Sequence, residues 1–317
     1  MKRRYFTIPL ILAALVLLIF IQSASNRITS PDRARLRDRH YEILAAPAEH
    51  GMEITSHTAP DGTPYLLCQG LPATGEKGRT LRGQLQQRQV PLASDPAAIL
   101  LLHGHGSRRE SQLAIAERFC AAGFTCLLPD LPGHGQHPDP TATFGKREVP
   151  LLLRLLAHAR AKHQIPEKVG LFGLSQGGAI ALQLAAADPQ QFTAVASLSS
   201  FAHLKKVMTT TAERKSPALA ALVPAVQLNL RLQHRFDPNE ISPARAAQKI
   251  SIPTFLAHGA KDSFVPATHA QTISNSLPDT TPRSLHIVPH ATHGNVLLLG
   301  HEIYADLTEF FLLSEPS

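Results

Sequence analysis

The residues Val169-Gly170-Leu171-Phe172-Gly173-Leu174-Ser175-Gln176-Gly177-Gly178-Ala179-Ile180 change character twice in quick succession. Val169, Leu171 and Phe172 form a short apolar run of strand type. Gly173, Gly177 and Gly178 then bracket Ser175. Helix formers follow from Ala179 to Ala187 and stop at Asp188-Pro189. A strand that turns straight into a helix leaves the serine on a strained bend with its hydroxyl exposed. The residues two before and two after it must be tiny, because backbone crowds backbone there. A G-x-S-x-G pattern also occurs in glycine-rich turns with a solvated serine, so its meaning depends on whether the rest of the chain supplies a base, an acid and an oxyanion hole.

Outward from this stretch, short apolar runs alternate with helical patterns. Met52–His57 and Pro64–Cys68 flank the turn signal Ala59-Pro60-Asp61-Gly62 and predict a hairpin. Residues 70–96 mix glycine, arginine and glutamine, with at most a weakly marked further strand. Ala97–Leu102, Thr125–Leu128, Val169–Leu174, Ala194–Leu198, Thr254–Ala257 and Leu285–Val288 read as strands. Ser111–Ala122, Arg147–His163 and Val296–Leu313 read as helices. Such alternation implies a mainly parallel sheet covered on both faces, with chemistry at the carboxyl ends of the strands. Ser199–Ile250 breaks the rhythm and reads as a small helical cap, with an apolar helix over Ser216–His234 interrupted at Pro224.

A serine needs a base within hydrogen-bond reach and a group that orients the base. The preferred base is His293, between the last strand and the last helix; His286, inside the strand, and His290, at the start of the loop, are its rivals. The preferred acid is Asp262, after the strand that ends at His258-Gly259; its alternative role is to cap a helix after Pro266. Asp237 and Asp279 fall in cap and loop regions and are poorer candidates.

The order Ser175, Asp262, His293 resembles that of the α/β-hydrolase family, over roughly Met52 to Leu313. His103-Gly104-His105-Gly106 is similar to the family's H-G loop, and Asp130-Leu131-Pro132-Gly133-His134-Gly135 to its D-x-P-G-x-G turn, in which Asp130 and His134 brace loops. The resemblance implies an α/β-hydrolase fold: a mainly parallel sheet with helices on both faces and a small helical cap. It implies a Ser175, Asp262, His293 triad and an oxyanion hole from the backbone N–H groups of His105 and Gln176. It also implies an acyl-enzyme route that needs no metal or organic cofactor. Within the fold, monoacylglycerol lipases, lysophospholipases and carboxylesterases look most similar, so an acyl ester is the expected small-molecule substrate. A serine peptidase of the same fold and a non-catalytic binding protein on this scaffold are the alternatives.

The chain has 317 residues, 44% hydrophobic and 17% charged, with net charge +7. Much of the positive excess lies near the N-terminus, at Lys2, Arg3, Arg4, Arg27, Arg33, Arg35, Arg37 and Arg39, which favours anionic lipid over nucleic acid. Ile8–Ile21 is apolar throughout apart from Pro9, and Ser23-Ala24-Ser25 follows. This is the pattern of a secretory signal or an uncleaved signal anchor, and Arg3-Arg4-Tyr5-Phe6 resembles part of a twin-arginine signal. The expected organisation is 1–25 signal peptide or membrane anchor, 26–50 basic linker or loosely held helix, and 51–317 hydrolase domain with a cap at about 200–250, placed outside the cytoplasm and associated with the membrane. Cys68, Cys120 and Cys126 have no zinc or C-x-x-C spacing and are expected as buried thiols, with a Cys120–Cys126 bridge as the alternative.

Overall fold

The computed structural model describes residues 7–93, 97–300 and 302–314. The basic Lys2, Arg3 and Arg4, with Tyr5 and Phe6, lie outside the described residues. In chain order the elements are α1 (Thr7–Thr29), α2 (Asp38–Ala45), β1 (Met52–Thr58), β2 (Pro64–Gly70), α3 (Glu76–Gln87), β3 (Ala97–Leu102), α4 (Leu113–Ala121) and β4 (Phe124–Pro129). They continue with α5 (Glu148–Ala161), β5 (Val169–Leu174), α6 (Gln176–Ala187), β6 (Phe192–Leu198), α7 (Leu204–Lys215), α8 (Pro217–His234) and α9 (Pro243–Ala247). The last are β7 (Thr254–Gly259), α10 (Thr268–Ser276), β8 (Arg283–Val288), α11 (Val296–Leu299) and α12 (Ile303–Ser314).

Among the described residues the strands form one eight-stranded sheet in the order β1-β2-β4-β3-β5-β6-β7-β8. β2 alone runs against the others: it pairs antiparallel with β1 and β4, and every later pairing is parallel. β3 is apolar at every position and its neighbours are largely so, because both faces are covered, and alternate residues serve opposite layers. Ile99 and Leu101 of β3 pack with Phe119, Phe172 and Phe311 on the α3, α4 and α12 side. Ala98, Leu100 and Leu102 pack with Leu152, Leu155 and Ile180 on the side of α5 and α6. A third apolar cluster joins α7 and α8 to Phe144 and to Ile21, Ala24 and Ile28 of α1.

Three elements differ from the sequence expectations. Residues 70–96 hold a helix, α3, rather than a strand. Its buried stripe is Gly78, Leu81 and Leu85 alone, too narrow for a strong periodic signal, and Gly78 lets it approach Ala121 closely. α8 runs unbroken through Pro224. That proline faces solvent, where the carbonyl it leaves without a donor can be hydrated. The terminal helix is two pieces, α11 and α12, parted near Gly300.

Residues 26–50, expected as a linker or a loosely held helix, carry the end of α1 and all of α2, and they are bonded to the body. Arg33 donates to the carbonyls of Gly135 (2.9 Å) and His137 (3.0 Å), and Arg108 donates to that of Ala34 (3.2 Å). Cys68, Cys120 and Cys126 are buried free thiols, with the Cys120 and Cys126 sulfurs 3.9 Å apart. Burial pushes the Cys68 and Cys126 thiols well up, which keeps them protonated.

Candidate active site

Ser175 stands between β5 and α6 with φ 53° and ψ −113°, a conformation that L residues rarely adopt. The turn is as tight as its glycines suggest. A Cβ on Gly173 would lie 2.2 Å from the Gly177 backbone, and one on Gly177 would lie 2.2 Å from the Leu102 carbonyl oxygen. The Ser175 N–H donates to Leu198 O at 2.8 Å, and its carbonyl accepts from the Ala179 N–H at 3.0 Å, so both sides of the strained unit are tied.

His293, from the loop after β8, places Nε2 2.9 Å from Ser175 Oγ and Nδ1 2.7 Å from Asp262 Oδ2. An ionised carboxylate only accepts, so Nδ1 carries the proton and Nε2 is left to accept from the serine hydroxyl. The Asp262 side chain is fully buried, whereas that of His293 is 27% exposed, so the imidazole is within reach of a bound molecule. The rivals lie elsewhere. His286 stacks on Phe255 with ring centroids 4.4 Å apart, and His290 is an exposed turn residue with φ 63°. Asp237 pairs with Arg231 at 2.6 Å and Asp279 with Arg283 at 3.3 Å. Asp262 does not cap the helix after Pro266: α10 begins at Thr268 with Ala267 at its N-cap.

The carboxylate is held by four donors. Oδ1 accepts from the N–H groups of Phe264 (2.9 Å) and Val265 (2.8 Å), and Oδ2 accepts from His293 and from His258 Nε2 at 3.1 Å. Burial alone would raise its pKa. The hydrogen bonds from His258, His293 and Val265 outweigh that and hold the carboxyl well below the usual range. His258, which sequence reasoning quoted without a role, is fully buried at the end of β7. Its Nε2–H is shared between Asp262 Oδ2 and the Val265 carbonyl at 2.7 Å. The signal that finds it is spacing: His258 and Asp262 flank one short strand-end loop. Phe264, half exposed, meets the His293 ring edge-on at 5.1 Å.

On the opposite side of Ser175 lies the loop after β3. A Cβ on Gly104 would sit 3.6 Å from Ser175 Cβ, so this loop approaches the serine closely. Gln176 opens α6, where the first N–H groups of a helix have no partner within it. His105, next in the loop, stacks on Phe144. Beneath it, His103 is fully buried: its Nε2 accepts from Leu131 N at 3.1 Å, so Nδ1 donates to Gly104 O at 2.9 Å, and burial lowers its pKa and keeps it neutral. Asp130 accepts from the N–H groups of Arg109 and Gln136, both at 2.9 Å, and His134 Nδ1 donates to Pro132 O at 2.8 Å. These residues brace the loops, as expected.

A family model described as alpha/beta hydrolase fold matches residues 97–219, the span from β3 through Ser175 into the helices after β6. The chain has the α/β-hydrolase fold. The pimeloyl-[acyl-carrier protein] methyl ester esterase of Neisseria meningitidis serogroup A is 26% identical over 274 residues, covering 75% of this chain and 84% of that protein. Two solved structures share the fold at low identity. The Pyrococcus furiosus esterase Pf2001 has a TM-score of 0.60 and 16% identity, covering 89% of this chain and 97% of its own. A bacterial membrane phospholipase A, described as a virulence factor, has a TM-score of 0.59 and 15% identity and covers both chains in full.

Proposed function

We propose that this α/β-hydrolase is a serine hydrolase that cleaves an acyl ester. Ser175 acts as nucleophile, His293 as general base and Asp262 as the group that orients the imidazole, with the N–H groups of His105 and Gln176 as the oxyanion hole. The observation that carries this reading is the continuous chain from hydroxyl to imidazole to carboxylate, 2.9 and 2.7 Å, on residues far apart in sequence. As Ser175 Oγ attacks the ester carbonyl, His293 Nε2 takes its proton, and the buried carboxylate stabilises the imidazolium that forms. The carbonyl oxygen becomes an oxyanion beside the two backbone N–H groups. Its collapse expels the alcohol, which receives the proton from His293. Water, activated by the same histidine, then attacks the acyl-enzyme and releases the acid.

The ester preference is supported by the similarity to esterases and by the largely apolar helix α8, read with α7 as a cap over the carboxyl ends of the strands. The membrane reading is supported by α1. Pro9–Thr29 is long and apolar enough to cross a membrane by length and composition, with mean hydropathy 1.9, and Leu10 to Phe20 are exposed. Read as a signal anchor with the basic start Lys2, Arg3 and Arg4, α1 places the hydrolase domain outside the cytoplasm.

The test is covalent labelling of the full chain in detergent with a fluorophosphonate, alongside hydrolysis of short and medium acyl p-nitrophenyl esters. Wild type labels and turns over, and Ser175→Ala abolishes both. A folded wild type that does not label would leave a binding protein on a hydrolase scaffold. Labelling together with cleavage of aminoacyl amides but no esters would make it a peptidase.

A further inference from the structure

The apolar N-terminal helix has two halves that the sequence does not separate. From Pro9 to Phe20 every residue is exposed. From Ile21 onward the buried or half-buried positions are Ile21, Ala24, Ser25, Ile28 and Thr29, the spacing of one helix face laid on a surface. That face enters the third apolar cluster with Phe144, Val226 and Leu230. Ser25 and Thr29 are fully buried, and Asn229 Nδ2 of α8 donates to Ser25 Oγ at 2.9 Å. The small-residue stretch that resembles a cleavage site is therefore part of a packed interface.

The carboxyl end of α1 is also capped from the body. The last carbonyls of a helix lack partners within it and carry partial negative charge. Here His105 Nε2–H donates to Ile28 O at 2.9 Å, and Ala142 N–H donates to Thr29 O at 2.6 Å. Gly133, at φ +82°, makes the approach possible: a Cβ there would lie 3.1 Å from Thr29 O and 2.8 Å from Ala142 N. The residue whose ring caps α1 is the one whose backbone N–H is assigned above to the oxyanion hole, and its stacking on Phe144 fixes the plane of that ring.

We infer that α1 is a retained part of the catalytic domain whose carboxyl end positions the oxyanion loop through His105. This rests on the serine-hydrolase reading above. The helix that reaches into the membrane and the loop that stabilises the transition state then form one rigid unit. Removal of the chain up to Ser23–Ser25 would strip that support and leave a slower enzyme. His105 acts here as a positioning residue: its side chain touches α1, and its backbone touches the developing charge.

The experiment uses the full chain in detergent. Mass spectrometry of the membrane-extracted protein is expected to find Gln22–Thr29 still attached. His105→Phe keeps the stacking surface and the backbone N–H but loses the Nε2 donor. It is expected to lower kcat about three- to tenfold with KM within about twofold, the range of one modest hydrogen bond expressed in the transition state. His105→Gln, which returns a side-chain N–H donor, recovers most of the loss. Ile21→Asp, which unseats the docked half of α1, lowers kcat to a similar extent, and adding His105→Phe to it costs little more, because both act through one contact. A mature N-terminus at or beyond Ser23 with full activity would overturn the inference. So would His105→Phe at the wild-type rate, His105→Gln as slow as His105→Phe, or losses that multiply in the double variant. Failure of the parent reading is told apart by Ser175→Ala: if that variant still labels, the nucleophile was wrong, whatever α1 does.

Discussion

Replacing Asp262 by Asn changes one atom and tests the whole electrostatic arrangement. Oδ1 accepts two backbone N–H groups, from Phe264 and Val265, so the amide keeps its oxygen there. Its NH2 then faces the side that now accepts from His293 Nδ1 at 2.7 Å and from His258 Nε2 at 3.1 Å. A donor in that place forces a lone pair onto His293 Nδ1 and moves the ring proton to Nε2. The imidazole then points N–H at Ser175 and has nothing with which to accept its proton. The opposite rotamer sets the NH2 against two buried backbone donors. Loss of the correct tautomer and of the charge facing the imidazolium is expected to cost about 10⁴-fold in kcat, close to 5.4 kcal/mol. Initial rates of p-nitrophenyl ester hydrolysis measure it, with circular dichroism as the check on folding. A folded Asn variant within tenfold of wild type would refute the argument, because the carboxylate would then be dispensable to the base. The same substitution has a signature in stability. The Asp262 pKa is depressed in the folded state, so the ionised carboxylate stabilises the fold above the unfolded value of about 3.9, and this contribution is lost as pH falls through the window below it. The acid limb of Tm against pH should therefore be shallower in the Asn variant than in wild type.

His258→Phe removes the second side-chain donor on Asp262 Oδ2. It should lower kcat about tenfold with KM little changed, and the fall should be smaller in His258→Gln; unchanged kinetics would reduce His258 to a packing residue. Gly177→Ala drives a Cβ into the Leu102 carbonyl at 2.2 Å, where only backbone can give way, so a loss of about 3 kcal/mol in denaturant unfolding, or failure to fold, is expected. Gly83→Ala, in the interior of α3 with nothing within 4 Å of the added methyl, should instead stabilise by about 0.5–1 kcal/mol. A Tm that falls would show that α3 is frayed there.

The parallel strands were legible because burial on both faces demands unbroken apolar runs. Ala97–Leu102 and Val169–Leu174 have the limits that periodicity predicted. The elements that were hard to read are those whose cause lies in tertiary contact. α3 buries one narrow stripe, so its polar surface hides its period. α8 tolerates Pro224 because that residue faces water, a fact about orientation that composition does not carry. At the site, strand-end placement and order brought Ser175, Asp262 and His293 forward. His258 was passed over because a histidine inside a buried strand end gives no sign of which carboxylate oxygen it meets. The docked half of α1 was invisible for a similar reason: Ser25 and Thr29 look like the polar flank of a signal, and their burial depends on Asn229, Gly133 and Ala142, far away in the chain.

The strain at Ser175 shows how these elements depend on each other. A non-glycine residue at φ 53° and ψ −113° costs about 1–3 kcal/mol, more than the loop could hold alone. Glycine at this position would relieve the strain but would remove the hydroxyl, so the conformation has to be imposed from outside. Two backbone hydrogen bonds do so, to Leu198 at the end of β6 and from Ala179 in the first turn of α6. Both anchors are fully buried, Leu198 at the end of β6 and Ala179 in α6. The three glycines act differently: by lacking side chains they let α6 start against β3 and β5, so that the serine is lifted clear of the sheet edge. The apolar strands, the bracket of glycines and the positive φ are thus one feature seen at three levels, and the Oγ facing His293 is its chemical consequence.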